Sequence, residues 1–108
     1  MEVNFSGYQC NLSFGQYRNG ATAISLVSVT DGSPVATATV NLEDFDDLKT
    51  NEVFIKDYSE NTGMLEALIE ANVVHPEAFM TVSVGYVLVS RYQLTEEAIL
   101  AYNKAKGV

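Results

Sequence analysis

The sequence predicts an α+β fold: an antiparallel β-sheet of about five strands, an N-terminal meander plus later strands, with two helices, in the order ββββ-α-β-α. Three observations predict this class. Apolar and polar residues alternate through residues 8–42, which is typical of half-buried strands. The spacing of apolar residues becomes helical after Met64 and again after Thr95. With 108 residues, 47% of them hydrophobic and 19% charged, the chain is expected to form a single domain, 1–108.

The first half of the chain predicts a three-stranded meander and a short fourth strand. The first strand alternates strictly, and its apolar side consists of Tyr8, Cys10, Leu12 and Phe14. Asn19-Gly20 predicts a type I′ hairpin turn into the second strand, 21–29. A second turn at 31–34 leads into the third strand, 35–42, and residues 52–56 are the expected fourth strand.

The first helix is predicted to begin near Met64. Asn61 or Thr62 is the expected N-cap, and Asn72 is the expected C-cap. The apolar residues of this helix recur on one side, which should face the sheet. Two acids on the other side are interpreted as ordinary solvated charges: Glu66 and Glu70.

The rest of the chain predicts one more β run and a C-terminal helix. The β run covers 79–92, with Gly85 as a candidate bulge. Its segment Val87–Val89 is apolar on both faces, so both faces should be covered. Thr95 is the expected N-cap of the last helix. Residues 94–108 are a candidate variable extension of the domain.

The charge balance disfavours several kinds of partner. Fourteen acidic and six basic residues give a net charge of −8, which opposes direct binding to DNA, RNA or an anionic membrane. The same charge favours either solubility or attraction to a basic protein. The N-terminus lacks signal-peptide features, the apolar stretch 82–89 is too short to span a bilayer, and Cys10 is the single cysteine. We therefore expect a cytoplasmic protein.

The residues that could support catalysis are few. His75 is the single histidine and directly precedes a proline in a predicted turn, while Cys10 belongs to the apolar side of a strand. The glycines match neither a phosphate-binding loop nor a dinucleotide fingerprint. The sequence therefore predicts a protein that is not an enzyme, without catalytic residues, cofactor or metal site.

Acidic residues are most concentrated between positions 43 and 60. The candidate partner-binding residues in this segment are Glu43, Asp44, Phe45, Asp46, Asp47, Leu48, Asp57, Tyr58 and Glu60. Phe45 and Leu48 could serve as anchors among carboxylates that approximate a row of phosphates. In the alternative interpretation, these two side chains fold back onto the core and the acids only solvate the loop.

Four segments together resemble a known family: Ser13–Gly20, Ala36–Leu42, Ile55–Asn61 and Gly63–Leu68. The resemblance, which covers roughly residues 8–90, is to small uncharacterised proteins, a domain of unknown function, encoded on phages, plasmids and conjugative elements of gut bacteria. It implies a protein that acts in the cytoplasm of a bacterial host cell. Small acidic proteins of such elements often block host defence, so the resemblance also implies an anti-CRISPR protein.

Three functional hypotheses follow. The first is a mobile-element inhibitor that binds a Cas nuclease, or another basic nucleic-acid-binding defence effector, through an acidic, nucleic-acid-mimicking surface. The second is a binder that sequesters a nucleotide signal, which would need Arg18 or Arg91 gathered from several chains. The third is a structural or regulatory homodimer with the Val87–Val89 strand at its interface.

Overall fold

The computed structural model describes residues 1–42, 45, 47–49 and 51–107. These residues form two antiparallel sheets and two α-helices, which confirms the predicted α+β class with more strands than expected. The strands are β1 (Glu2–Phe5), β2 (Tyr8–Gln16), β3 (Thr22–Ser28), β4 (Pro34–Thr37), β5 (Glu52–Ile55), β6 (Met80–Val84) and β7 (Val87–Gln93). The helices are α1 (Met64–Glu70) and α2 (Glu96–Ala105), and a 3-10 turn, Ser59–Asn61, precedes α1.

The first sheet has the order β1-β2-β3-β4 and contains a strand that the sequence did not predict. β1 pairs with β2 through a two-residue turn, Ser6-Gly7, in which both residues have positive φ, as a type I′ turn requires. The type I′ turn predicted at Asn19-Gly20 is wrong. There the Gly20 amide donates to the Tyr17 carbonyl at 2.9 Å, and only Gly20 is left-handed, with φ 89°. This is a longer loop that ends in a left-handed glycine.

The predicted third strand, 35–42, is divided between the two sheets. β4 ends at Thr37, and the next residue contacts both sheets. The Ala38 amide donates to the Ile24 carbonyl of β3 at 2.8 Å, while its carbonyl accepts from the Lys56 amide beyond β5 at 2.9 Å. Thr39 then forms an isolated bridge with Ile55. Residue 38 is thus where the chain passes from the first sheet to the second.

The second sheet has the order β5-β7-β6, and its β6–β7 hairpin replaces the single β run predicted for 79–92. Gly85 is not a bulge. It has φ 59° and is the first of the two residues between the paired Val84 and Val87, as in a type II′ turn. The expectation that both faces of this strand are covered is correct for Val89, which is fully buried, and wrong for Leu88, which is 73% exposed.

The main core lies between the two sheets and α1. The first sheet contributes Cys10, Ile24 and Leu26, all fully buried. The second sheet contributes Val53, Ile55 and Tyr92, and α1 contributes Met64 and Leu68. Alternate residues of β5 and β7 face the opposite side of the second sheet, where Phe54, Val89 and Arg91 are also buried. Both faces of this sheet therefore carry packed side chains.

The two helices differ in how well local sequence predicts their ends. α2 begins as expected, since the Thr95 hydroxyl accepts from the Ala98 amide at 3.1 Å. The N-caps predicted for α1 are wrong: the N-cap is Gly63, with φ 95°. Asn61 is instead buried and donates to the Thr37 carbonyl at 2.6 Å. At the other end of α1 the C-cap is Ala71, and Asn72 follows it with φ 60°.

Within the part of the chain that the structure describes, neither helix is long and apolar enough to cross a membrane. The C-terminal helix packs on the body of the domain. Ala98 belongs to the main core, and the buried Tyr102 ring meets the Phe14 ring edge-on at 5.7 Å between centroids. The predicted extension 94–108 therefore includes residues that complete the core.

Candidate functional site

A buried ion pair lies on the outer face of the second sheet. The side chain of Arg91, on β7, is only 3% exposed. Its Nη2 donates to Glu52 Oε1 at 2.7 Å, and its Nη1 lies 3.4 Å from both carboxylate oxygens of Asp47. Glu52 is buried as well and also accepts from the Lys49 amide at 3.0 Å. Two elements distant in sequence, β5 and β7, are thus joined through opposite charges.

Aromatic rings complete the surroundings of this guanidinium. The Phe79 ring centroid lies 4.8 Å from Arg91 Cζ, and that of Phe54 lies 6.0 Å away. Burial acts to lower the pKa of Arg91, but the hydrogen bonds and charges of Glu52 and Asp47 outweigh it and raise the pKa above its usual value. Arg91 is therefore a permanently charged group that the carboxylates neutralise.

The structure describes only part of the predicted acidic surface. Glu43, Asp44 and Asp46 lie outside the described residues. Phe45 is half-buried, with its ring centroid 5.3 Å from that of Phe54, and Leu48 is half-buried too. These positions agree with the alternative in which the two apolar side chains fold back onto the domain. The Asp47 side chain remains 68% exposed while it contacts Arg91.

The second part of the predicted surface has local structural roles. Asp57 Oδ1 accepts from the Gly63 amide at 3.1 Å and from the Leu65 amide at 3.0 Å, so it caps α1 from outside the helix. Glu60 forms an exposed ion pair with Lys56, whose ammonium lies 5.7 Å from the centroid of the half-buried Tyr58 ring. The hydrogen bond from Lys56 lowers the pKa of Glu60 and raises that of Lys56.

These two parts do not form one continuous site. Asp47 contacts the face of the second sheet that carries Arg91. Asp57 lines a small cavity with Ile55 and Leu88, which point to the opposite face. Residues that are near one another in sequence are therefore separated by the thickness of a sheet.

The structure brings Glu60 of the predicted acidic segment near Glu66 and Glu70, the two acids expected on the solvent side of α1. A cavity of about 280 Å³ between β1 and α1 is lined by Glu66 and Glu70, and it shares Phe5 and Ser6 with a neighbouring cavity of about 330 Å³. The second cavity is lined by Glu60, by its ion-pair partner Lys56, and by Tyr8, which is 57% exposed. We call the carboxylates of Glu60, Glu66 and Glu70 the acidic rim.

The acidic rim has a signal in the sequence that could have revealed it. Glu66 and Glu70 are one helical turn apart, so they lie on one side of α1. Glu60 lies four residues before Met64, in the short 3-10 turn that precedes α1. Three acids just before and within a helix, without a basic residue between them, indicate an acidic surface along that helix.

The residues considered for catalysis, metal binding or nucleotide binding each have a simple structural setting. Cys10 is fully buried, and burial raises the pKa of its thiol, which disfavours the reactive thiolate. His75 is exposed before Pro76. Among the described residues, no group of three or more His, Cys, Asp or Glu side chains could hold a metal ion. Arg91, one of the two arginines offered for a phosphate in the nucleotide hypothesis, is buried and paired with Glu52.

Loss of the Asp57 cap should destabilise α1. We expect Asp57→Ala to lower the free energy of unfolding by about 0.5–2 kcal/mol, because two amides at the helix start lose their side-chain acceptor. Asp57→Asn keeps an acceptor oxygen and should retain most of the stability. Urea unfolding followed by far-UV circular dichroism measures both changes. Equal stability of D57A and the unmodified protein would contradict the capping role.

Comparison of the chain with protein-family models, with curated proteins and with solved structures gave no match. The resemblance drawn from the four sequence segments therefore stays a prediction. The functional argument rests on the charges and cavities described above.

Proposed function

We propose that the protein is a non-catalytic inhibitor, carried by a mobile element, that binds a bacterial defence effector on its basic nucleic-acid-binding surface. A Cas nuclease is the most specific candidate for this partner, which would make the protein an anti-CRISPR. The observation that carries the proposal is the acidic rim, in which the exposed Glu66 and Glu70 line one cavity and Glu60, paired with Lys56, lines the adjoining one. The mobile-element origin rests on the family resemblance of residues 8–90.

The acidic rim has the chemistry that would receive lysine and arginine side chains. Glu66 and Glu70 are about 6 Å apart along the axis of α1, so two cations of a partner can bind side by side. The exposed ring of Tyr8 lines the adjoining cavity and offers a face to a third cation. Nucleic-acid channels present such cations in rows, because their natural ligand is a chain of phosphates.

The net charge supports the same conclusion at longer range. A chain with net charge −8 is attracted to a basic channel before contact, which raises the association rate. Asp47 adds an exposed carboxylate on the other side of the second sheet. A channel that encloses the protein could therefore contact acids on more than one side.

The experiment is affinity capture followed by a competition assay. The immobilised protein is exposed to nuclease-treated lysate that contains CRISPR and restriction effectors, and bound proteins are eluted in salt steps from about 0.1 to 1 M, over which the Debye length falls from about 10 to 3 Å. We expect a basic nucleic-acid-processing protein to bind and to leave as salt rises. The purified partner should lose nucleic-acid binding when the inhibitor is added.

A pair of variants with equal charge change tests the surface itself. E66Q/E70Q neutralises two rim residues, and E77Q/E96Q neutralises two exposed acids on other segments. Two exposed charge pairs are worth about 0.4–2 kcal/mol together, so E66Q/E70Q should raise the dissociation constant about 2- to 30-fold. E77Q/E96Q should bind as the unmodified protein does. Equal effects of both variants, or no captured protein at low salt, would overturn the proposal.

A further inference from the structure

One of the two outer strands of the second sheet lacks the usual protection of a sheet edge. Natural edge strands carry charged residues or proline, which discourage pairing with another chain. The outer strands of the first sheet follow this rule, since β1 begins at Glu2 and β4 begins at Pro34. The second sheet has two outer strands: β5 begins at Glu52 and is bridged by Thr39, whereas β6 contains neither a charge nor a proline, and no residue from 78 to 90 is charged.

The hairpin geometry determines which main-chain groups of β6 are free. A two-residue turn makes the flanking pair, Val84 and Val87, the hydrogen-bonded pair, and hydrogen bonding to β7 then recurs at every second residue. The amides and carbonyls of Thr81 and Ser83 consequently point away from β7. They form a short row of donors and acceptors along the open edge.

We propose that β6 pairs antiparallel with β6 of a second copy of the chain, about a two-fold axis at Val82. The two three-stranded sheets then become one sheet of six strands. In this register Thr81 lies opposite Ser83 of the second copy, so the outward main-chain groups of both residues exchange hydrogen bonds. Val82 lies opposite its own equivalent, and Met80 lies opposite Val84.

The side chains on both faces match in this register. Met80, Val82 and Val84 share one face of the strand, so the new contacts on that face are apolar. Thr81 and Ser83 share the other face, where their hydroxyls meet across the axis.

An uncharged contact surface permits a second copy as the occupant, and the symmetry of β6 favours it. Two chains of net charge −8 repel each other wherever their carboxylates face one another. The hairpin of residues 78–90 is an uncharged stretch on which two copies can meet without opposing acids. A two-fold contact also needs only one self-complementary strand, and the apolar and hydroxyl residues of β6 are arranged symmetrically about Val82.

The first test measures mass and register on the full chain. Sedimentation equilibrium should show a mass that rises with concentration from one chain to two. Under mild oxidation V82C should form a disulfide-linked dimer, because directly opposed residues lie about 4.5–5.5 Å apart between Cα atoms. V84C is the matched control: its two thiols would be four residues apart along the strands, about 13 Å, and should not link. The native Cys10 is buried and does not compete.

The second test uses charge at the axis. V82K places two ammonium groups opposite each other and should raise the dimer dissociation constant at least about tenfold, and V82E should do the same. Mixing V82K with V82E should restore a dimer of one copy of each. A chain that stays monomeric at every concentration overturns the proposal and leaves an extended peptide of another protein as the alternative occupant. Equal cross-linking of V82C and V84C, or a dimer unaffected by V82K, also overturns it.

Discussion

Replacing Arg91 with methionine should lower the free energy of unfolding by about 3–5 kcal/mol, because the substitution leaves a buried carboxylate without its counter-charge. The Glu52 carboxylate receives the Arg91 Nη2 donor at 2.7 Å and is itself buried. The only other donor that the structure shows for it, among the described residues, is the Lys49 amide. Methionine fills much of the volume of the arginine stem, so the lost stability measures mainly the effect of the unpaired Glu52 carboxylate.

A double replacement distinguishes the destabilisation caused by one unpaired buried charge from the net contribution of the intact ion pair to stability. R91M/E52M removes both charges and should recover most of the stability, since a buried ion pair is often matched by apolar residues of similar size. The chain has no tryptophan, so urea unfolding is followed by far-UV circular dichroism. If the double variant is no more stable than R91M, the loss comes from packing around Phe54 and Phe79 and not from an unpaired charge.

Truncation of Leu26 should have an effect of similar size for a different reason. Leu26 lies on β3, is fully buried and belongs to the core between the two sheets. We expect Leu26→Ala to lower the free energy of unfolding by about 2–5 kcal/mol, through lost burial and the cavity that remains. A reduced urea midpoint with an unchanged slope would show that stability alone has changed.

The chain offers a matched control for this truncation. Leu100 on α2 is 68% exposed, so Leu100→Ala removes the same atoms from a position near solvent. Its effect should stay within about 0.5 kcal/mol. A loss for L100A as large as that for L26A would mean that the outer side of α2 is covered in solution, and would contradict the exposure of Leu100 in the structure.

The elements that sequence predicted well are those whose signals are local. The start of α2 is one example, because Thr95 supplies the cap within three residues of its acceptor amide. The start of α1 is the contrary case. Its capping carboxylate, Asp57, lies six residues before Gly63, and an intervening 3-10 turn brings the two together. No rule of fixed spacing finds such a cap.

The division into two sheets depends on contacts between distant residues. Residues 35–42 alternate as one strand would, and nothing in that segment reveals that its hydrogen bonds pass from Ile24 to Lys56 at residue 38. The β6–β7 hairpin was missed for a related reason. Apolar residues continue on both sides of Gly85, so a turn with a single glycine resembles an irregular strand.

The grouping of acids in the candidate site likewise depends on contacts that local sequence does not reveal. The acids of 43–60 were grouped because they are close in sequence, yet Asp47 and Asp57 lie on opposite sides of the second sheet. Glu60 was assigned to that segment, whereas Glu66 and Glu70 were interpreted as solvated acids of α1, and the packing of α1 against β1 places all three around adjoining cavities. Which of these acids lie close together therefore depends on how the strands and α1 pack, and not on their distance along the sequence.

The position of Ala38 also limits how the length of the chain can change. One residue inserted beside it would move Thr39 and its neighbours by one place in the second sheet, and each side chain there would turn to the opposite face. The turns at 17–20 and 29–33 have no such constraint, because each joins strands of a single sheet. We therefore expect related sequences of different length to differ in these turns and to keep the spacing from β3 to Ala38 unchanged.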